Sequence, residues 1–161
     1  MNTLQTLIQH LTQNHLTIST AESCTGGNIA HLITLTPGSS AYYKGSIITY
    51  CNELKIKLLN VSPQTIQQHT EVSQQVALQM AQGAQQTLNT DIAIATTGIA
   101  GPTGALPGKP VGTVYIAAAT PTRAIAQRHN YIGTRDTIIT QATQTALQLA
   151  LQLLTTQNPV G

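Results

Sequence analysis

Short β-branched runs alternate along this chain with stretches of helical period, and that alternation narrows the possible folds more than any other feature. Leu4, Leu7, Ile8 and Leu11 recur at the spacing of one helix face. Leu16-Thr17-Ile18-Ser19-Thr20-Ala21 follows as a strand. Gly26-Gly27 then opens a helix carrying Ile29, Leu32 and Ile33 on one side, closed by Thr36-Pro37-Gly38-Ser39-Ser40. Gly45 to Tyr50 reads as a second strand, with a turn or two of helix around Lys55 to Leu59. Ser62-Pro63 has the form of an N-cap with Pro at the first helical position. Ser73 caps a further helix with Val76, Met80, Ala84 and Leu88 inside. Ile92 to Thr97 is a buried type of strand, and Val111–Ala119 and Arg123–Tyr131 are two more, joined at Thr120-Pro121-Thr122. Ile138, Ala142, Ala146, Leu149 and Leu153 stripe the last helix, and the tail from Gln157 to Gly161 is expected to fray. This order predicts one α/β domain over residues 1–161, a three-layer α/β/α sandwich whose central sheet is mixed because the late hairpin is antiparallel.

A core for such a domain must be aliphatic, because the chain has no Phe and no Trp. A domain of this length buries roughly 68–70% of its unfolded surface. Seven Lys and Arg stand against five Asp and Glu, a formal charge of +2. The basic residues form no run and no aromatic residues are interleaved with them, which argues against a nucleic-acid partner. No stretch reaches the ~18 apolar residues of a membrane span, and Met1 to Leu16 lacks the basic and apolar regions of a signal peptide. A cytoplasmic protein with no membrane association is expected, with Cys24 and Cys51 as reduced, buried thiols. The five His are scattered and no metal-binding spacing occurs, so no metal or other cofactor is expected.

Charge used so sparingly draws attention to where it falls. Ala21-Glu22-Ser23-Cys24-Thr25-Gly26-Gly27 places a serine where a strand runs into a helix. The carboxyl end of a strand faces the crevice where open α/β sheets bind ligands, and the following helix start offers unpaired N–H groups. Ser23 can attack a carbonyl there, or Ser23 and Thr25 can simply cap the helix. Lys55 is a candidate base if an apolar site lowers its pKa, with Asn52 and Glu53 near enough in sequence to orient it and Tyr50 to relay or hydrogen-bond. Lys55 and Lys57 can equally be solvated residues of a short helix. Cys24 is a rival nucleophile, although a thiol packed behind the strand end is the simpler role. The run Gly98 to Gly104, followed by Pro107-Gly108-Lys109-Pro110, can expose N–H groups to a phosphate or form a wide turn. His69-Thr70-Glu71 reads as a loop contact.

Taken together these blocks resemble the C-terminal domain of the competence/damage-inducible protein CinA, whose stand-alone versions are nicotinamide-nucleotide amidases. The resemblance rests on residues 21–27 and on Gly-Ser-Ser-Ala-Tyr-Tyr-Lys-Gly at 38–45 and Tyr-Cys-Asn-Glu-Leu-Lys at 50–55. His69 to Val76, Thr97 to Pro102 and Lys109 to Tyr115 continue it in order, so that it spans about residues 2 to 155. It implies a metal-free amidohydrolase that converts nicotinamide mononucleotide to nicotinic acid mononucleotide and ammonia. Ser23 is then the nucleophile, Lys55 its general base and Tyr50 the supporting hydroxyl. Glu22, Thr25, Gly26, Gly27, Thr97, Gly98 and Gly101 line the substrate pocket, and Lys44, Lys109 and Arg135 are the phosphate candidates. A small-molecule nucleotide is thus the expected partner, a homodimer or larger homo-oligomer is compatible, and the N-terminal domain of full-length CinA is not in this sequence. Departures from the family pattern are Cys51 for Ser, Thr70 for a frequent Gly, Thr134 for the Asp of a Gly-Asp-Arg, and Ala105 and Gly108 before Lys109. The alternatives are a non-catalytic nucleotide-binding or regulatory module, and the same chemistry on a different amide.

Overall fold

Ile18–Glu22 (β1) is buried along its whole length and holds a central place in the sheet of the computed structural model, which describes residues 1–156. Tyr43–Ile48 (β2) and Ile92–Gly98 (β3) flank it, both parallel to it. Thr113–Ala119 (β4) pairs antiparallel with β3, and Ala124–Asn130 (β5) antiparallel with β4. The strand order is therefore β2-β1-β3-β4-β5, one mixed sheet. The expected fraying at 157–161 lies outside the described residues.

The helices cover both faces, as an α/β/α sandwich requires. Thr3–Gln13 (α1) starts in a capping box, Asn2 and Gln5 satisfying each other's backbone N–H groups. Leu7 and Leu11 of α1, Ile29 and Ile33 of Asn28–Thr34 (α2), and Ile138, Ala142, Ala146, Leu149 and Leu153 of Arg135–Thr155 (α6) pack with Ile92 and Ile94 on one face. The opposite face carries Asn52–Leu59 (α3), Pro63–His69 (α4) and Gln74–Leu88 (α5), with Leu59, Ile66, Val76, Met80 and Ala84 against Ala93, Ala95 and Ala117. Alternation along β3 thus puts isoleucines toward α1 and α6 and alanines toward α5. Each isoleucine so buried contributes roughly 1.5–3 kcal/mol, and the alanine face lets α5 lie close. α3 in turn lies close on α5, where a Cβ at Gly83 would overlap the Leu59 carbonyl.

Strand boundaries move by one or two residues from those expected, most consequentially in β1 and β2. β1 runs to Glu22 because Glu22 pairs with Ile48 on one side and Thr96 on the other. β2 occupies 43–48 rather than 45–50: β1 ends opposite Ile48, so only the Thr49 N–H reaches back, 2.9 Å from the Glu22 carbonyl. Ser62 precedes α4 as expected, but its hydroxyl donates to Gln64 Oε1 and caps nothing.

β1 leads through α2 to β2 on one side, and β2 leads through α3, α4 and α5 to β3 on the other. The chain thus reverses direction across the sheet between β1 and β3, and their carboxyl ends frame the crevice such a reversal leaves.

Candidate active site

Ser23 is the residue immediately beyond β1, and its N–H donates to the Thr96 carbonyl at 3.1 Å, carrying the β1–β3 ladder one step further. The chain then turns tightly, with the Gly26 N–H donating to the Ser23 carbonyl at 3.0 Å. Gly26 and Gly27 sit at φ of +60° and +103°, a region open to glycine and costly for side chains. Gly27 begins α2 and offers no side chain to cap it.

Glu22 supplies that cap. It is wholly buried, and its carboxylate accepts from Thr25 Oγ1 at 2.6 Å, Gly27 N at 3.2 Å, Ile29 N at 3.0 Å and Ala30 N at 3.0 Å. A negative charge against the orphan N–H groups and positive dipole end of a helix is well placed. The capping reading of Ser23 is therefore corrected: a buried carboxylate does that work and leaves the serine hydroxyl free. The Cys24 N–H, next in the chain, donates to no other described residue.

Lys55 comes from α3 with only 2% of its surface exposed. Its Nζ donates to Ser23 Oγ at 3.0 Å and to the Thr49 carbonyl at 2.9 Å. Burial pushes its pKa down, opposed by the negative charge of Glu71. A lysine held this way gives up its proton more readily than one in water. The Cys24 thiol moves the opposite way, pushed up to about 12 by burial. Burial holds it as a neutral thiol, and it is Ser23, not Cys24, that meets the Lys55 amine, so the serine is the better-placed nucleophile.

Ser23 and Lys55 open into a cavity of about 360 Å³ whose walls also include Tyr50, Glu71, Thr97 and Arg135. Residues 98–101 and 103–104 form its outer wall. Thr97 is fixed by donating to the Glu71 carbonyl at 2.7 Å. Arg135, at the start of α6, reaches across to the Gly101 carbonyl at 2.6 Å and to the Tyr50 hydroxyl at 2.7 Å. Its helix is capped by Thr134, whose Oγ1 accepts from Thr137 N at 3.3 Å, so threonine does at that position what an aspartate's oxygen can do.

The structure separates several residues that sequence grouped. Ser23, Lys55, Tyr50, Thr97, Gly98, Gly101 and Arg135 share the cavity. Tyr50 is 62% exposed and its hydroxyl is engaged by Arg135, with no hydrogen bond to Ser23 or Lys55. Glu22, Thr25, Gly26 and Gly27 do not line the cavity; they build the turn beneath it, Thr25 donating to Glu22 and sharing a hydrogen bond with Thr96 at 2.8 Å. Lys44 is exposed on β2, an edge strand away from the cavity. Lys109 is committed elsewhere: its Nζ donates to the His69 carbonyl at 2.8 Å, Thr70 Oγ1 at 3.1 Å and the Val72 carbonyl. That leaves Arg135 as the one phosphate candidate on the cavity wall. Cys51 is exposed, not buried, because it is the N-cap of α3 at the cavity mouth.

Glu71, which the sequence offered only as part of a loop contact, stands on the cavity wall. It follows Thr70, whose φ of +65° is the left-handed conformation that glycine adopts freely. The signal was the replacement of a frequent Gly by Thr, and only the fold gives it meaning. Among the described residues no three His, Cys, Asp or Glu side chains gather as a metal site would need, and no helix is long and apolar enough to cross a membrane.

Comparison with known proteins agrees with this architecture. The model of the CinA C-terminal domain matches residues 2–154. The chain belongs to the CinA C-terminal domain family. A CinA-like protein of Flavobacterium psychrophilum is 47% identical over 139 residues, which cover 86% of this chain and 33% of that protein. A crystal structure of the competence/damage inducible protein CihA from Agrobacterium tumefaciens superposes with a TM-score of 0.91 at 38% identity, covering 96% of this chain and 94% of the other. A CinA superfamily protein from Escherichia coli gives a TM-score of 0.90 at 34% identity, covering 94% and 88%. The chain spans about a third of the length of the curated relatives it matches, whereas the solved CinA-superfamily chains are matched over nearly their whole length.

Proposed function

We propose that this CinA-family domain is an amidohydrolase that deamidates nicotinamide mononucleotide to nicotinic acid mononucleotide and ammonia. The observation that carries the reaction class is the 3.0 Å contact between Lys55 Nζ and Ser23 Oγ on the wall of a cavity. A buried amine with a lowered pKa beside a serine at the end of a parallel strand is the pairing that hydroxyl activation needs. The nucleotide substrate follows from the family resemblance, and Arg135 supplies a guanidinium suited to its phosphate.

In the reaction, neutral Lys55 Nζ takes the Ser23 proton as Oγ bonds to the carboxamide carbon, and the carbonyl electrons move onto oxygen. The Cys24 N–H is the nearest free backbone donor in sequence for that oxyanion. Collapse of the tetrahedral species breaks the C–N bond. The leaving nitrogen takes the proton from Lys55 and departs as ammonia, leaving an ester on Ser23. Water then adds to the ester carbon and gives a proton to Lys55. The C–Oγ bond breaks, Lys55 returns its proton to Ser23, and the carboxylic acid so formed gives its remaining proton to water as it leaves as the carboxylate.

Ser23→Ala is expected to reduce ammonia release from nicotinamide mononucleotide by at least about 10³-fold, with the melting temperature within a few degrees of wild type. Ammonia measured with and without a chelator tests this. Full turnover by the variant refutes the serine mechanism. Binding of the mononucleotide by wild type without turnover supports a non-catalytic nucleotide-binding module instead.

A further inference from the structure

Glu71 lines the cavity beside Ser23 and Lys55, half-buried, and no side-chain hydrogen bond or ion pair engages its carboxylate among the described residues. Its backbone is held unusually firmly. Thr97 Oγ1 donates to the Glu71 carbonyl at 2.7 Å, and Lys109 Nζ donates to the carbonyls on both sides of the segment, at His69 and Val72. The Thr70 N–H donates to the Ile66 carbonyl at 2.8 Å, and Ser73 Oγ donates to the Thr70 carbonyl at 2.9 Å. This lattice keeps Thr70 at φ +65°, a conformation that non-glycine residues hold only where their surroundings over-determine it. The backbone bearing this carboxylate is thus fixed at the cavity wall, and the carboxylate, whose charge Lys55 feels at a distance, makes no hydrogen bond or ion pair of its own among the described residues.

Arg135 occupies a different wall, tied to Gly101 and Tyr50 at the start of α6, while Glu71 belongs to the connection between α4 and α5. With Lys55 committed to Ser23 and Thr49, the cavity presents one guanidinium and one carboxylate to a ligand, on separate elements. That arrangement complements a molecule bearing an anionic group at one place and a positive charge at another. A ligand with charge of one sign leaves one of the two groups unmatched and an uncharged ligand leaves both, at greater cost for half-buried Glu71 than for exposed Arg135.

We propose that Glu71 is a specificity-determining residue that pairs with a cationic ring on the substrate, selecting zwitterionic ring amides over neutral ones. The inference rests on the amidase reading above and refines it. In a pyridinium mononucleotide the positive ring nitrogen is two ring bonds from the carbon bearing the carboxamide. A carboxylate near Ser23 and Lys55 therefore meets the ring while Arg135 meets the phosphate. Glu71 forms no covalent bond and moves no proton in this role.

The test compares wild type, Glu71→Gln and Glu71→Asp on nicotinamide mononucleotide and on its 1,4-dihydro form, which keeps the shape and phosphate but has a neutral ring. Because the two amides differ in intrinsic reactivity, each variant is compared with wild type on the same substrate. Glu71→Gln is expected to lower kcat/KM for the pyridinium form about tenfold or more, chiefly through KM, and to leave the dihydro form within about twofold. Glu71→Asp is expected to recover part of the pyridinium rate. Equal losses on both forms, or no loss on either, overturn the proposal. If wild type hydrolyses neither form, the mononucleotide reading fails, and the ratio is read across a panel of cationic and neutral ring amides. There, a Glu71→Gln effect blind to ring charge overturns the specificity role on its own.

Discussion

Lys55 is at once the most expensive and the most useful side chain in the molecule. A lysine at 2% exposure without an ion pair has lost most of its hydration, and the fold answers with two hydrogen bonds, to Ser23 and Thr49. Its lowered pKa has a definite sign for both activity and stability. Below the folded-state pKa the amine is charged in both states, and the folded state bears the full cost of burying it. As pH rises from the folded pKa toward the ordinary lysine value the unfolded chain binds more protons, so stability rises across that window. Lys55→Met removes the cost and the base together. It is expected to cut ammonia release by about 10³-fold or more while raising Tm by a few degrees near neutral pH, the gain shrinking toward pH 10; calorimetry across pH checks it. In wild type, kcat/KM is expected to fall as the solution is acidified, at a pH below that of an exposed lysine, because Lys55 must be neutral to accept the Ser23 proton.

Among the elements, α3 decides the site, since it brings Lys55 to Ser23 from thirty-two residues away. Its own helical pattern is weak, and its position comes from α5. Leu59 packs in the same cluster as Val76, Met80 and Ala84, and Gly83 lets the Leu59 carbonyl come against the α5 backbone. Gly83→Ala is expected to be destabilising by about 1–3 kcal/mol despite alanine's better helix propensity. It is also expected to lower kcat, because α3 must move away from α5 and carries Lys55 with it. A denaturant melt and a rate assay on the same sample test both parts, and unchanged kcat in a folded variant would show that α3 is placed by other contacts.

At the scale of the whole molecule, the cavity exists because elements from both faces of the sheet converge at the carboxyl ends of β1 and β3. Arg135 closes that convergence, joining the start of α6 to Gly101 and to Tyr50 just ahead of α3. Arg135→Met is expected to raise KM for nicotinamide mononucleotide about 10- to 100-fold and to leave turnover of the corresponding riboside, which lacks the phosphate, nearly unchanged. Losses of equal size on both would make Arg135 a structural tie alone.

Much of this was legible in the chain itself. Apolar spacing marked α1, α2, α5 and α6, short β-branched runs marked the five strands, and the late hairpin made the sheet mixed, because burying one face of each element dictates such patterns in the sequence. α3 showed only as a turn or two of helix and α4 only through its Ser62-Pro63 start. Ser23 at a strand end and Lys55 on a second segment were visible as residues of suitable chemistry. Sequence alone did not separate Glu22, Thr25, Gly26 and Gly27, which build the turn, from Ser23, which faces the cavity; neighbours in a tight turn point in different directions, and only the backbone path sorts them. Lys109 looked as suitable for a phosphate as Arg135, and the tertiary structure committed it to the carbonyls of His69 and Val72. Glu71 read only as part of a loop contact because its placement depends on Thr97, 26 residues away, and on Lys109, which holds His69, Thr70 and Val72 around it. Local periodicity and propensity are properties of neighbouring residues and are written in the sequence. Which charged groups meet one another, and which are left free for a ligand, depends on how distant elements pack.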